Sequence, residues 1–323
     1  MKRFKDILCV LESGEVCKPA LERAVALAET NQASLTVVEV VERVTAGIGM
    51  PGGGSISADL QTALVNSHHQ QLQSLVAPFL KRVDIQTKVL KGVPFLQIIR
   101  EVLANNRDLV IKIPENQDWL DRFFGSDDMH LLRKCPCPVW LIKPDAPKTY
   151  RRILAAVDVD DSYPPAEQEV RNNMNRQILQ MAASLALAEF AELHVVHAWD
   201  AAGESVMRGS LKRTPEEKIT AYVDQVERQH TDSLNALLDD VTSNLGRDYL
   251  KPQTHLVKGW ARQVIPALAK HIEADVIVMG TVARTGIPGF IMGNTAETIL
   301  NQVSCSVLAV KPSGFVTPVT LVD

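Results

Sequence analysis

The sequence predicts an α/β protein made of two tandem, doubly wound parallel-sheet units, and three observations carry that prediction. The chain has 323 residues, more than a single core ordinarily holds. Short apolar runs alternate with amphipathic stretches, the pattern of strands covered on both faces by helices. Segments of the first half also recur in order in the second.

Taken in order, the first pair is Ile7 to Glu12 (ILCVLE) and Ile153 to Asp158 (ILAAVD), each an apolar run with an acidic exit. A helical period follows in both halves: Ala20, Leu21, Ala24, Leu27 and Ala28, then Ile178, Leu179, Ala182, Leu185 and Ala186. The second strands are Leu35 to Val38 and Leu193 to Val196. Val89 to Gly92, followed by Ile98 and Ile99, matches Val257 to Gly259, followed by Val264 and Ile265, so a strand, a glycine turn and a helix repeat. The strands Asp108 to Ile111 and Asp275 to Val278 correspond, as do the closing segments Cys137 to Pro144 and Cys305 to Pro312. The order β-α-β-α-β-α-β-α-β therefore occurs twice, with right-handed crossovers expected. Pro144 and Pro147 punctuate the junction, which divides the chain into units 1–147 and 148–323.

A hydrophobic fraction of 46 % and a charged fraction of 22 % suit a soluble globular protein. The net charge of -4 argues against a nucleic-acid partner, which needs clustered Lys and Arg. No apolar stretch reaches the roughly 20 residues that cross a bilayer, so no membrane role is expected. Five cysteines without a paired CxxC spacing fit a reducing cytoplasm. Cys135 and Cys137 flank Pro136, where buried thiols are commoner than a shared metal or redox role.

Three stretches carry a resemblance: Gly280 to Gly286 (GTVARTG), Gly293 to Glu297 (GNTAE) and Asp128 to Pro136 (DMHLLRKCP). They resemble the universal stress protein family in its tandem, E-type form, and the likeness covers nearly the whole chain. The resemblance implies a five-stranded parallel sheet of adenine nucleotide alpha hydrolase-like fold in each unit, with ligands at the carboxyl ends of the strands. It also implies an intrachain pseudo-dimer in which the units cover each other's outer edge, and leaves a homodimer open.

ATP-binding members carry a glycine, two residues, a second glycine, nine residues, then glycine and a hydroxyl residue. Here the pattern meets Gly280, Ala283, Gly293 and Asn294, so two of the three glycines remain. The implied ligand-binding set is Ala156, Val157, Asp158, Met279, Gly280, Ala283, Arg284, Gly293, Asn294 and Thr295. Glycines admit a phosphate close to the backbone, and amides ahead of a helix receive it. ATP or another nucleotide is the implied ligand, and magnesium stays open, with Asp160 and Asp161 a corner that also reads as an acidic turn. The competing reading of Gly280, Gly286, Gly289 and Gly293 is a loop with positive φ angles. Ile287, Pro288, Phe290, Ile291 and Met292 are expected to pack on the other unit rather than line an apolar slot.

In the first half Ile113 or Lys112 stands in the place of Gly280, Glu12 in that of Asp158, and only Gly125 and Ser126 survive, so that unit is expected to act mainly as scaffold. Gly47 to Gly52 has GxGxxG spacing but lies beyond its strand, which favours a loop. His68 and His69 are adjacent and cannot share a metal across a helical turn; His194 and His197 lie on opposite faces of a strand; His130 is placed at a helix start. No catalytic motif appears. The expected function is a cytoplasmic stress-response protein that binds a nucleotide-like ligand in its second unit without substantial catalysis, slow ATP hydrolysis being left open. The alternatives are a protein–protein adaptor with a vestigial pocket and a binder of an amphipathic, acyl-bearing metabolite.

Overall fold

The computed structural model describes residues 4–12, 17–44, 55–115, 126–209, 214–243, 250–281 and 292–321. The first unit runs β1 (Asp6–Leu11), α1 (Lys18–Asn31), β2 (Ser34–Val41), α2 (Ser55–Val76), β3 (Ile85–Lys91), α3 (Pro94–Asn105), β4 (Leu109–Lys112), α4 (Ser126–Lys134) and β5 (Val139–Leu141). The second runs β6 (Arg152–Ala156), α5 (Pro165–Glu189), β7 (Glu192–Trp199), α6 (Glu204–Gly209), α7 (Glu216–Thr242), β8 (Gln253–Lys258), α8 (Ala261–His271), β9 (Val276–Gly280), α9 (Asn294–Leu300) and β10 (Ser306–Val310).

The ten strands form one sheet in the order β3-β2-β1-β4-β5-β10-β9-β6-β7-β8, a sequence that reads the same from either edge once the repeats are matched. Pairing is parallel within each unit and antiparallel between β5 and β10, where Leu308 faces Trp140. Those two residues hold the same place in the repeat, so a local two-fold passes between them. The two sheets are thus continuous, each covering the other's edge strand. This removes the unpaired backbone groups that an isolated edge would expose.

Strand alternation splits the core into two layers. Ile7, Cys9 and Leu11 point with Trp140 toward α1, α2, α5 and α7. Leu8 and Val10 point with Leu141 toward α3, α4, α8 and α9. The turns repeat too. Gly92 and Gly259 adopt φ of +133° and +141°, left-handed positions where a Cβ would be strained. The helix ends at Gln32 and Phe190 both take φ of 54°, although neither is glycine.

Candidate functional site

In the second unit β6 and β9 are parallel neighbours, with Ala156 opposite Met279, so Val157, Asp158 and Gly280 emerge together at one end of the sheet. Val157 is pinned by its N–H, which donates to Val196 O at 3.0 Å. Gly293 joins them: its N–H donates to Thr281 O at 3.3 Å, and it caps α9, which begins at the exposed Asn294 and Thr295. The sequence-derived set therefore converges for Ala156, Val157, Asp158, Met279, Gly280, Gly293, Asn294 and Thr295. Ala283 and Arg284 lie outside the described residues, as do Gly125, Gly286, Gly289, the segment from Ile287 to Ile291 and the glycine-rich stretch from Gly47 to Gly52.

The positive-φ reading is corrected for Gly280 and Gly293. Neither is among the left-handed glycines, and Gly293 has φ of −65°. What Gly280 provides is room, because a Cβ there would lie 2.8 Å from Met174 Sδ. Met174 belongs to the first turns of α5, a part of that helix that the sequence analysis missed. The equivalent helix α1 starts at Lys18, whereas α5 extends forward to Pro165.

That extension delivers three side chains to the strand ends. Arg171 Nη1 pairs with Asp158 Oδ2 at 2.5 Å, and its guanidinium lies 3.5 Å from the Tyr163 ring centre. Buried Asn175 clamps the same turn: its Nδ2 donates to Asp158 O at 2.6 Å, and its Oδ1 accepts from Asp158 N at 3.0 Å. Asp160 N donates to Asp158 Oδ1 at 3.4 Å and Ser162 N donates to Asp160 Oδ1 at 2.9 Å, the acidic-turn arrangement. Asp158 nonetheless keeps 45 % of its side chain exposed.

His197 backs the site from β7. Val157 O can only accept, so His197 donates to it from Nδ1 at 3.3 Å and its Nε2 accepts from His230 Nδ1 at 3.0 Å. Burial lowers the pKa of His197 and keeps it neutral. His194, on the other face, is bonded to His255 at 2.9 Å. His68 is not a free surface group, since its Nδ1 sits 2.9 Å from Glu39 Oε1. His130 lies within α4 rather than at its start and stacks on Phe95 at 4.6 Å. Among the described residues no group of three or more His, Cys, Asp or Glu side chains is placed to hold a metal.

Sheet register settles the first unit. Val110 opposite Val139 corresponds to Ile277 opposite Val307, which sets Ile113 in the place of Gly280 and Lys112 in that of Met279. Lys112 is 2 % exposed and Asp128 fully buried, with Nζ 2.7 Å from Oδ1; Glu12 lies at 3.3 Å and Glu115 at 3.7 Å. Burial works to lower the pKa of Lys112, but Asp128 and Glu12 outweigh it and raise it. Burial also pushes Glu115 up to about 7. Asp128 Oδ2 accepts from Glu115 N at 2.9 Å. An internal ion pair thus fills the ground that stays apolar in the second unit, where Met279 and Ala296 hold the equivalent places.

A groove of about 940 Å³ lies elsewhere, between α1 and α5 over Trp140 and Leu308, and the sequence analysis gave no hint of it. Its central cation, Arg23, is already bonded to Glu189, Pro147 O and Lys148 O. It is remote from the strand ends that gather the predicted residues. No described helix is long and apolar enough to cross a membrane.

Comparison with known proteins agrees with this architecture. The profile of the Universal stress protein family matches residues 3–143 and 149–311. Universal stress protein E of Escherichia coli (strain K12) is 30 % identical over 335 residues, spanning 100 % of this chain and 99 % of that one. The Universal stress protein E homolog of Haemophilus influenzae is 29 % identical, spanning 96 % and 98 %. Among solved structures, a candidate universal stress protein of Pseudomonas aeruginosa UCBPP-PA14 superposes with a TM-score of 0.69 at 26 % identity, covering 96 % of this chain and 94 % of that one. A universal stress protein from Archaeoglobus fulgidus DSM 4304 shares the fold, with a TM-score of 0.60 at 16 % identity over 94 % and 97 % of the two chains.

Proposed function

Because the chain belongs to the universal stress protein family, we propose that it is a cytoplasmic stress-response protein that binds a nucleotide or nucleotide-like ligand at the strand ends of its second unit. It carries out no substantial catalysis. The division between residues 147 and 148 separates a first unit with a degenerate ligand loop from a second that retains part of one, and the two act as an intrachain pseudo-dimer. The observation that carries the reading is the meeting of Asp158, Gly280 and Gly293, with the Met174 side chain packed against Gly280 and the Arg171 side chain on Asp158. Met174 and Arg171 are the ends of flexible side chains, so a ligand displaces them without moving backbone.

ATP or a related nucleotide fits this donor set. Asp158 would accept from ribose hydroxyls, Gly280 would admit close approach, and the amides of Asn294 and Thr295 would receive phosphate oxygens. Calorimetric titration with ATP and with AMP tests the reading on wild type, Met174→Ala and Gly293→Val. Met174→Ala is expected to bind about fivefold more tightly, since returning a half-buried thioether to water costs on the order of 1 kcal/mol. Gly293→Val is expected to abolish binding. Absence of binding by wild type and Met174→Ala alike would sink the proposal. It would favour an adaptor whose pocket is permanently closed, the reading suggested by the Arg171–Asp158 pair.

A further inference from the structure

Just before β5, Cys135 and Cys137 bring their Sγ atoms to 3.6 Å, and the two residues are 0 % and 7 % exposed. Opposite them stands Lys311, immediately after β10 and 4 % exposed. Its Nζ donates to Leu132 O and, at 2.6 Å, to Thr281 Oγ1, and lies 5.2 Å from the Phe315 ring centre. Among the described residues no carboxylate pairs with it. A buried ammonium left without an anion is costly, so it either loses its proton or finds a negative partner. The titratable groups that face Lys311 are the thiols of Cys135 and Cys137.

The thiols divide accordingly. Burial works to raise the pKa of Cys135, but the hydrogen bond from Cys137 and the Lys311 charge outweigh it and leave it lowered. Cys137, as the donor, is raised. Burial draws Lys311 down to about 7, against the pull of the two thiols. The other three cysteines go the opposite way: burial raises Cys9 and Cys17 and pushes Cys305 up to about 12. One thiol of five is thus set apart, with a second thiol beside it and a cation in front.

We propose that Cys135 and Cys137 form an oxidisable dithiol, a modification site for peroxides, with Lys311 as its buried counter-cation. Cys135 thiolate attacks one peroxide oxygen, the O–O bond breaks, and Cys135 becomes a sulfenic acid as hydroxide leaves. Cys137 sulfur then attacks the Cys135 sulfur, expelling the second oxygen as hydroxide. The Cys137 thiol proton and the proton returned by Lys311 complete two waters when the oxidant is hydrogen peroxide. The sulfurs must close from 3.6 Å to the disulfide length of about 2.05 Å, a movement that a two-residue step with free side-chain torsions allows. A peroxide is small and uncharged, and Cys137, 7 % exposed against 0 % for Cys135, is the less buried of the two thiols.

The test uses the full chain, folded and reduced, treated with hydrogen peroxide, then unfolded, alkylated and digested with trypsin. The peptide 135–148 holds both cysteines, since the Lys143–Pro144 bond resists trypsin. It is expected to lose two hydrogens and refuse the alkylating agent, while the peptides of Cys9, Cys17 and Cys305 accept it. Cys137→Ser should trap a sulfenic acid at Cys135 that dimedone captures. Lys311→Met, which keeps an apolar stem, should slow the reaction about tenfold by removing thiolate. Double alkylation of the 135–148 peptide in wild type would overturn the proposal without any variant. So would oxidation of that peptide no faster than in urea-unfolded chain, or an unchanged rate in Lys311→Met.

Discussion

Replacing Asp128 by Ala removes the fully buried carboxylate nearest the Lys112 ammonium, at 2.7 Å, and leaves it only the more exposed Glu12 at 3.3 Å and Glu115 at 3.7 Å. Removing one member of a buried ion pair costs about 3–5 kcal/mol. The second unit shows the repair, because Met279 and Ala296 occupy the equivalent positions. The double variant Lys112→Met/Asp128→Ala copies that apolar solution into the first unit and removes both charges at once. Such replacements are neutral or stabilising, here less about 1 kcal/mol for the hydrogen bond that Glu115 N gives to Asp128. Equilibrium unfolding in urea reads the difference. With a slope of about 3 kcal/mol/M, Asp128→Ala should lower the first-unit midpoint by roughly 1 to 1.7 M, and the double variant should lie within about 0.3 M of wild type. If the double variant unfolds as early as Asp128→Ala, the pair is not an isolated charge balance and the reasoning fails.

Two further outcomes are expected. Burial draws the Lys311 pKa from the ordinary 10.5 down to about 7, so the unfolded chain binds the extra proton between those limits and wild-type stability rises with pH across that window. Lys311→Met removes the dependence; its stability relative to wild type should fall from pH 7 to 10.5, and a difference that stays flat in urea titrations counts against the buried cation. Phe190 is 99 % exposed and holds φ of 54°, which a side chain adopts at a cost. Phe190→Gly should gain about 0.5–1 kcal/mol in a thermal scan after the entropy of the unfolded glycine is discounted; a loss would mean that the exposed ring has a partner.

The alternation of apolar runs and helical periods located the inner strands, because buried strands admit little but Val, Ile, Leu, Ala and Cys, whereas the half-exposed edge strands β3 and β8 were read only at their carboxyl ends, beside the glycine turns. The matched pairs of segments also fixed which strands are equivalent. The antiparallel junction of β5 and β10 was not legible. Its residues read as ordinary interior strand, and only the register reveals that Trp140 and Leu308 meet. At the site, Asp158 and Gly280 were legible as strand exits. Arg171, Met174 and Asn175 were not, because the stretch before Ile178 is polar and breaks the apolar period. Pro165 at the first helical position was the signal that could have extended α5. Lys112 was legible only as one of two candidates for the place of Gly280, and its buried pairing was not, because its partner Asp128 lies 16 residues on.

A filled first-unit site leaves the question of what that unit contributes, and the antiparallel junction supplies an answer. Because β5 and β10 run in opposite directions, the amino-terminal end of β5 meets the carboxyl-terminal end of β10, where the second unit gathers its proposed ligand-binding residues. Leu132 O, at the end of α4, accepts from both Lys311 Nζ and Thr281 Oγ1, using the two lone pairs of one carbonyl. Arg133 Nη2 reaches Glu297 Oε1 at 2.6 Å, tying α4 to α9. Thr281 follows Gly280, and its carbonyl holds Gly293 N, so the residue that joins the two glycines is itself anchored by the first unit. On the proposed reading, the first unit is retained as the wall against which the other unit's strand ends are fixed. The Cys135–Cys137 pair is linked to the same contact through the charge of Lys311, whose Nζ donates to Thr281 beside Gly280.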